Sequence, residues 1–215
     1  MVKPRIAPRL VVVHAGPGQH KARRRRPRAA DVTIVGGGPA GAALAVAKDG
    51  RLVYARSFGY ANRERKEPVR PDSLFRIASI SKPLTAVATL QLIEQGKLKL
   101  DDRVFKLLPH KAHLPKGGKV DPRLNKITIA HLMRHQGGWD RGESIDPMFH
   151  SIEIATALGR RPPAQPDDII RFMKGWPLDF EPGTRYAYSN LGYCLLGRVI
   201  EQTTGRGYEA YLKNS

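Results

Sequence analysis

Ser79 and Lys82 are the residues whose types and spacing most clearly suggest chemistry. Three residues are close to one helical turn, so the hydroxyl and the ammonium group would share one face of a helix. A serine hydroxyl becomes a good nucleophile when a neighbouring base takes its proton, and a lysine whose pKa is lowered can be that base. The pair therefore suggests nucleophilic catalysis, although most Ser-x-x-Lys tetrapeptides are a helix-capping serine and a solvated lysine.

A helix that begins near this pair would hold both side chains in place. Pro83 suits the first turn of a helix, and the N-terminal N–H groups and helix dipole would favour negative charge developing beside Ser79. Apolar residues then recur at helical spacing, at Leu84, Val87, Ala88 and Leu92. We therefore predict a helix from Ser79 to near Gly96.

A second group of chemically capable side chains is Tyr188-Ser-Asn190, which follows a turn at Pro182-Gly183. A tyrosine can relay a proton if a nearby lysine lowers its pKa. An asparagine can hold a lysine in place and donate to a substrate carbonyl. Taken alone, the tripeptide would be a tyrosine and a cap at the start of a helix, which we predict over 191–204 with Gly205 at its end.

Together, these two stretches resemble the serine β-lactamase and penicillin-binding-protein superfamily. The likeness is carried by residues 74–104 and by Phe180-Glu-Pro-Gly-Thr-Arg-Tyr-Ala-Tyr-Ser-Asn-Leu-Gly-Tyr193, and it covers roughly residues 38–215. It is greatest for the branch that holds class C β-lactamases, D-alanyl-D-alanine carboxypeptidases and family VIII esterases. The resemblance implies an α/β (α+β) fold, with a helical domain and a partial antiparallel sheet. The C-terminal strands of that sheet would be absent.

The resemblance also implies a role for four residues. Ser79 would be the acylating nucleophile, Lys82 would activate it, Tyr188 would carry the proton to the leaving group, and Asn190 would orient Lys82 and the acyl group. The backbone N–H of Ser79 would supply one oxyanion donor for acyl transfer and hydrolysis. No metal or organic cofactor would be needed. The substrate would be a small-molecule ester, a β-lactam or a D-Ala-D-Ala peptide, and the residues do not separate these three.

The family's third motif, Lys-Thr-Gly or a relative such as His-x-Gly, has no counterpart after Tyr188. Losing the oxyanion donor that comes with it costs on the order of 100- to 1000-fold in rate, and the late strands of the sheet would be missing too. We therefore expect a chain truncated at the C-terminus. The alternative to an active hydrolase is an impaired or inactive homologue whose basic tail binds polyanions.

Positive charge is concentrated at the start of the chain. The 215 residues carry a formal net charge of +18, and residues 1–28 contain nine basic and no acidic side chains. The run Arg23–Arg26 could contact phosphates of nucleic acid or lipid, but nucleic acid is disfavoured because no aromatic residue is interleaved for base stacking. We predict a basic, disordered tail over 1–37 and a hydrolase-like domain over 38–215, with a sheet hairpin at about 41–60 and a helical region at about 74–215.

Three glycines suggest a different function. Gly36, Gly38 and Gly41 follow an apolar run, a spacing that resembles the dinucleotide fingerprint of flavoproteins. That fingerprint requires a helix next and an acidic residue roughly 20 positions later. Here Lys48-Asp-Gly50 is typical of a turn between two strands, over 42–47 and 51–60. We therefore predict a β-hairpin, with flavin or nucleotide binding as the lesser alternative.

His131 and His135 stand at a spacing that can bind zinc. The glutamate of a His-Glu-x-x-His site is absent, since Leu132 occupies its position. We predict instead that these histidines satisfy local backbone groups in a helix over 129–135 that Thr128 caps. Aspartates are expected to cap two further helices, with Asp101 or Asp102 before one that ends at Leu108 and Asp167 or Asp168 before one that ends near Lys174.

The remaining residues set outer limits on the interpretation. Trp139, Met148 and Phe149 lie in a loop that could shape an acyl pocket or join the core. A single cysteine, Cys194, excludes an intrachain disulfide, and no segment reaches the roughly 18 apolar residues of a transmembrane helix. Relatives of the resembled family are often exported, but the sequence contains no convincing signal peptide. Localisation and oligomeric state stay undetermined.

Overall fold

The computed structural model describes residues 31–37, 41–49 and 51–214 of the chain. The chain divides into two compact units on either side of the bond between Arg76 and Ile77. The described part of the first unit contains an antiparallel sheet, and that of the second is built of helices and short turns. The predicted fold class, an antiparallel sheet accompanied by helices, is confirmed.

The sheet is built from four strands in sequential order, β1-β2-β3-β4. Their bounds are β1 Asp31–Gly37, β2 Gly41–Lys48, β3 Arg51–Asn62 and β4 Glu67–Pro68. Strands β2 and β3 form the predicted hairpin. Strand β1 corrects the expectation of a disordered tail up to residue 37, because its apolar run pairs with β2. The rest of that tail, residues 1–30, lies outside the described residues.

The glycine-rich segment leads into a strand, and this corrects the dinucleotide alternative. Strand β2 begins at Gly41, where the fingerprint requires a helix that points its N-terminus at a pyrophosphate. Packing explains this glycine, because a Cβ there would collide with the Val69 side chain and lie 2.8 Å from the carbonyl oxygen of Phe58. Gly38 lies outside the described residues. In its described residues, the segment thus runs from strand to strand, without the helix that flavin or nucleotide binding requires at this position.

The second unit contains helices packed around one apolar core. Their bounds are α1 Ser81–Glu94, α2 Val104–Leu107, α3 Ile129–Met133, α4 Ser151–Ala157, α5 Pro166–Met173, α6 Asn190–Thr204 and α7 Tyr208–Leu212. A 3-10 turn over Ala78–Ile80 precedes α1. Helix α6 supplies much of the core, because Leu195, Leu196 and Ile200 are fully buried against side chains of the neighbouring helices. Within the described residues, no helix is both long enough and apolar enough to span a bilayer.

The predicted helix ends are confirmed at two positions. Thr128 caps α3 by accepting the N–H of His131 at 3.2 Å, and Gly205 ends α6 in the left-handed conformation. The aspartate caps were wrong. Asp102 accepts the N–H of Lys99 in the preceding turn, and Asp168 sits inside α5, where it accepts the N–H of Gln165.

Helix α1 buries a different face from the one that its apolar spacing predicts. Ala88 and Leu92 are buried, but Leu84 is 49% exposed and Val87 is 55% exposed. The buried face is completed by two threonines, Thr85 and Thr89. Both are buried at little cost because their hydroxyls donate to main-chain carbonyls one turn earlier, at Ser81 and Thr85.

Candidate active site

Ser79 lies in the 3-10 turn just before α1, and Lys82 lies in the first turn of the helix. The preceding residue, Ala78, has a φ of +44°, a left-handed conformation that a residue with a Cβ rarely adopts. Strain of this kind persists only where the surrounding structure imposes it, and it is concentrated at functional sites. The Lys82 ammonium donates to Ser79 Oγ at 3.3 Å.

Tyr188 and Asn190 reach the same point from the N-terminus of α6. Ser189 caps that helix by accepting the N–H of Gly192 at 3.2 Å, which fixes the residues on either side of it. The phenolic oxygen of Tyr188 lies 2.6 Å from Ser79 Oγ, and Lys82 Nζ donates to Asn190 Oδ1 at 2.7 Å. The structure thus brings all four predicted site residues together.

Packing between α1, α6 and α7 maintains this convergence. Thr85 of α1 donates its single hydroxyl proton to the carbonyl of Ser81 at 3.0 Å. Its oxygen also lies 2.6 Å from the hydroxyl of Tyr208 in α7, so the tyrosine must be the donor there. Because Thr85 is buried, this polar contact fixes α1 against α7 three residues beyond Lys82.

His135 holds the main chain on both sides of Tyr188. Its carbonyl accepts the N–H of Ala187 at 2.8 Å, and its Nδ1 accepts the N–H of Ser189 at 3.1 Å. Its ring stacks on the Tyr188 ring, with 4.7 Å between centroids. Burial, together with the nearby Lys82 charge, lowers the pKa of His135, which favours the neutral ring that can accept at Nδ1.

The prediction that the histidines satisfy local backbone groups is confirmed for His131 but not for His135, which lies beyond the end of α3 at Met133 and contacts a residue 54 positions away. His131 Nδ1 accepts the N–H of Thr128 at 3.4 Å, while His135 Nδ1 is engaged by Ser189. Within the part of the chain that the structure describes, no group of three or more histidine, cysteine, aspartate or glutamate side chains could hold a metal ion.

Positive charge around Tyr188 favours its phenolate. The pKa of Tyr188 is lowered, first by the neighbouring Lys82 ammonium, then by the hydroxyl of Ser79, and also by the charge of Arg141. The Arg141 guanidinium lies over the Tyr188 ring, 4.9 Å from its centroid. Lys82 Nζ lies 4.8 Å from the same centroid. The phenol is therefore easier to deprotonate than a solvated tyrosine.

The amide of Asn190 is held at both ends. Its Oδ1 accepts from Lys82, and its Nδ2 donates to Asp146 Oδ2 at 2.7 Å. Asp146 is 11% exposed and lies 3.9 Å from an Arg141 nitrogen. One continuous hydrogen-bonded network thus joins a carboxylate, an amide, an ammonium, a serine hydroxyl and a phenol.

The loop residues expected to shape an acyl pocket separate into core and surface. Trp139 is buried in the hydrophobic core, and Met148 packs partly buried against it. Phe149 is 76% exposed. The core interpretation therefore holds for the tryptophan, because its ring lies among the side chains that α3 and α6 bury.

Sequence reasoning missed three residues that contact the site: His135, Arg141 and Asp146. His135 was considered as a possible metal ligand and as a partner of local backbone groups, and neither interpretation predicts its contact with Tyr188. The Asp146-Pro147 dipeptide does predict a turn, and Asp146 does cap the following 3-10 turn by accepting the N–H of Met148. Nothing local to either loop residue predicts its contact with Tyr188 or Asn190, which depends on how the loop packs against α6.

Chemically, the arrangement places a nucleophilic oxygen between a phenol of lowered pKa and an ammonium group. Ser79 is exposed, so a carbonyl carbon can approach its oxygen. A proton leaving Ser79 Oγ has an acceptor 2.6 Å away, within the range that general base catalysis requires.

Known proteins contain sequences and folds similar to this one. An esterase of Burkholderia gladioli, EstB, is 35% identical over 77% of this chain and 41% of its own length. A penicillin-binding protein of Bacillus subtilis is 34% identical over 79% of this chain and 34% of its own. The solved penicillin-binding-protein homologue from Pyrococcus abyssi, an octamer, superposes with a TM-score of 0.61 at 34% identity, over 80% of this chain and 37% of that protein. The chain thus spans less than half the length of each.

The Beta-lactamase family model matches residues 28–215. That range includes both diagnostic stretches and the whole network around Ser79. The chain therefore belongs to the beta-lactamase family.

Proposed function

We propose that this chain is a serine hydrolase that cleaves an ester or amide bond through an acyl group carried on Ser79. The observation that carries the proposal is the 2.6 Å contact between Ser79 Oγ and the phenolic oxygen of Tyr188, with Lys82 donating to the same serine. The likeness to an esterase and to penicillin-binding proteins supports an ester, a β-lactam or a D-Ala-D-Ala peptide as the substrate.

In the first half-reaction, Ser79 Oγ bonds to the acyl carbon as its proton passes to Tyr188. Tyr188 is favoured as the immediate base because its contact with Ser79 is shorter than that of Lys82 and because its pKa is lowered. Lys82 then activates the serine through the phenolate that it stabilises. The backbone N–H of Ser79 serves as an oxyanion donor.

The tetrahedral intermediate collapses when the acyl carbon releases its alcohol or amine. Tyr188 returns the proton to that leaving group, and later takes one from the water that attacks the acyl-enzyme. Asn190 keeps Lys82 in place throughout, through the 2.7 Å hydrogen bond to its Oδ1. The products are a carboxylic acid and an alcohol or amine, and Ser79 regains its hydroxyl.

Covalent labelling of the full chain with a fluorophosphonate, followed by peptide mass spectrometry, tests the proposal. We expect a single adduct on Ser79, absent in Ser79→Ala. In Tyr188→Phe, which keeps the ring but removes the hydroxyl, we expect labelling slower by roughly 100- to 10,000-fold. Thermal unfolding of each variant controls for folding.

The proposal of an active hydrolase would be contradicted if the wild-type chain folds cooperatively but gives no adduct with a fluorophosphonate or a fluorescent penicillin. That outcome would favour the alternative, a catalytically inactive homologue. An adduct that persists in Ser79→Ala would instead place the nucleophile elsewhere.

A further inference from the structure

Asp146 contacts the end of the Asn190 side chain that does not contact Lys82. Its Oδ2 accepts from Asn190 Nδ2 at 2.7 Å, and its Oδ1 accepts the N–H of Met148 at 3.2 Å. The side chain is 11% exposed. Both carboxylate oxygens are therefore committed to particular donors in a largely dehydrated position.

A side-chain amide has a donor end and an acceptor end, so it can sit in two orientations that differ by half a turn. Lys82 can only donate, so it requires the carbonyl oxygen of Asn190. An ionised Asp146 can only accept, so it requires the NH2 group. In the reversed orientation, two charge-assisted hydrogen bonds would be lost. The NH2 group would then face the Lys82 ammonium, and the amide oxygen would face the Asp146 carboxylate. Asp146 and Lys82 therefore select the same orientation.

We infer that Asp146 is a positioning residue, which fixes the amide of Asn190 and through it the ammonium of Lys82 beside Ser79. The inference rests on the proposed function, because it assigns Asp146 a part in preparing the reaction. Arg141 contributes to the same arrangement, since it lies 3.9 Å from the Asp146 carboxylate and over the Tyr188 ring.

Exchanging the two side chains separates this role from simple capping. In Asp146→Asn, the new amide keeps its oxygen for the N–H of Met148 and turns its NH2 toward Asn190, which disfavours the working orientation of Asn190. We expect fluorophosphonate labelling at saturating probe to slow by roughly 10- to 100-fold, with little change in the half-saturating probe concentration. Asn190→Asp alone places two carboxylates together and should slow labelling similarly.

The double variant Asp146→Asn with Asn190→Asp restores the hydrogen bond between the two positions with donor and acceptor exchanged, and leaves the directions of the bonds from Lys82 and Met148 unchanged. The asparagine at 146 then donates to the carboxylate at 190, which still accepts from Lys82. We expect it to label at least fivefold faster than either single variant. A residue that only capped the turn would gain nothing from the second substitution, so absence of this rescue overturns the inference. Asp167→Asn, which removes an exposed carboxylate paired with His110, should label like the wild type.

The side-chain NH2 resonances of Asn190, assigned by their loss in Asn190→Asp, test the orientation without any labelling. One amide proton should be shifted downfield and exchange slowly in the wild type, and both features should disappear in Asp146→Ser. A serine can still cap the turn, but it is too short to reach Asn190. Identical NH2 resonances in the two proteins would overturn the inference, whereas missing adducts on wild-type Ser79 would count only against the proposed function.

Discussion

The hydroxyl oxygen of Ser79 and the phenolic oxygen of Tyr188 lie 2.6 Å apart, although 109 positions separate the residues in the chain. Each is held by the start of a helix, α1 for Ser79 and α6 for Tyr188. The core packing of these helices sets the distance, so the reactive contact depends on tertiary structure more than on either local motif.

Arg141 should contribute to the pH at which Tyr188 becomes active. Lys82 lowers the pKa of the phenol most, and the Arg141 cation, 4.9 Å from the centre of the Tyr188 ring, lowers it further. Arg141→Gln removes this charge, so the pKa rises and less phenolate is present at a given pH. If the phenolate is the base, the rising limb of the plot of labelling rate against pH should move to higher pH.

The matched control for that experiment is Arg185→Gln. Arg185 also lies over an aromatic ring, but the ring is that of Phe180, at 4.3 Å. The plot of labelling rate against pH for Arg185→Gln should superpose on that of the wild type. A rising limb that stays in place in Arg141→Gln would exclude Arg141 from the electrostatics of Tyr188.

Much of the local structure could be predicted because its causes are local. Thr128 and Gly205 mark helix ends through their own hydrogen-bonding capacity and backbone freedom. The sequence Lys48-Asp-Gly50 predicts a turn between two strands, and β2 and β3 do pair as a hairpin. The site residues were recognisable because the resemblance supplied the long-range pairing that neither stretch contains by itself.

The exposed and buried faces of α1 could not be predicted, because periodicity shows which residues align but not what covers them. Apolar residues occupy more than one face, so Leu84 and Val87 are as regular as Ala88 and Leu92. Thr85 is a polar side chain whose burial in the core depends on its hydrogen bonds with Ser81 and Tyr208. Long-range polar contacts of this kind, like that of Asp146 with Asn190, cannot be predicted from the local sequence.

His135 should stabilise the Tyr188 segment through its neutral ring. His135→Asn retains an acceptor for the N–H of Ser189, and asparagine tolerates the left-handed φ of +56°. His135→Ala retains neither advantage, so its free energy of unfolding should be lower than that of His135→Asn by about 2 kcal/mol. Urea unfolding of the two variants measures the difference, and equal values would exclude the Nδ1 contact as a source of stability.

The same ring should make folding sensitive to acid. Burial lowers the pKa of His135 in the folded protein, so the unfolded chain takes up its proton first as the pH falls below about 6.5. Stability from this group is present above that pH and is lost toward the lowered pKa. His135→Asn should therefore flatten the fall in unfolding free energy as the pH decreases below about 6.5. His131→Asn is the control, because His131 also has a lowered pKa but bonds to Thr128. This variant should flatten the dependence of unfolding free energy on pH without changing the labelling of Ser79.

Asp121 should be a main source of stability at moderate pH. Its carboxylate accepts from the main chain of Arg123 and Leu178 and from the Arg123 guanidinium. These contacts, the Arg123 side chain above all, lower the pKa of Asp121 from 3.8 to about 2. The shift corresponds to at most ~2.5 kcal/mol, and to about 1 kcal/mol once solvent screening is allowed for, because Arg123 is 32% exposed.

A folded pKa below the unfolded value means that this stability is present above about pH 4 and is lost as the pH falls toward 2. Asp121→Asn should therefore be less stable than the wild type at pH 6, and the two unfolding free energies should converge by pH 2. Chemical denaturation at several pH values measures this convergence. Glu209→Gln, in a pair with Lys213 whose side chains are 80% and 71% exposed, should follow the wild-type curve throughout, as expected for surface ion pairs. If Asp121→Asn runs parallel to the wild type from pH 6 to pH 2, the carboxylate does not carry this pH-dependent stability, and the contacts of Asp121 contribute only as neutral hydrogen bonds.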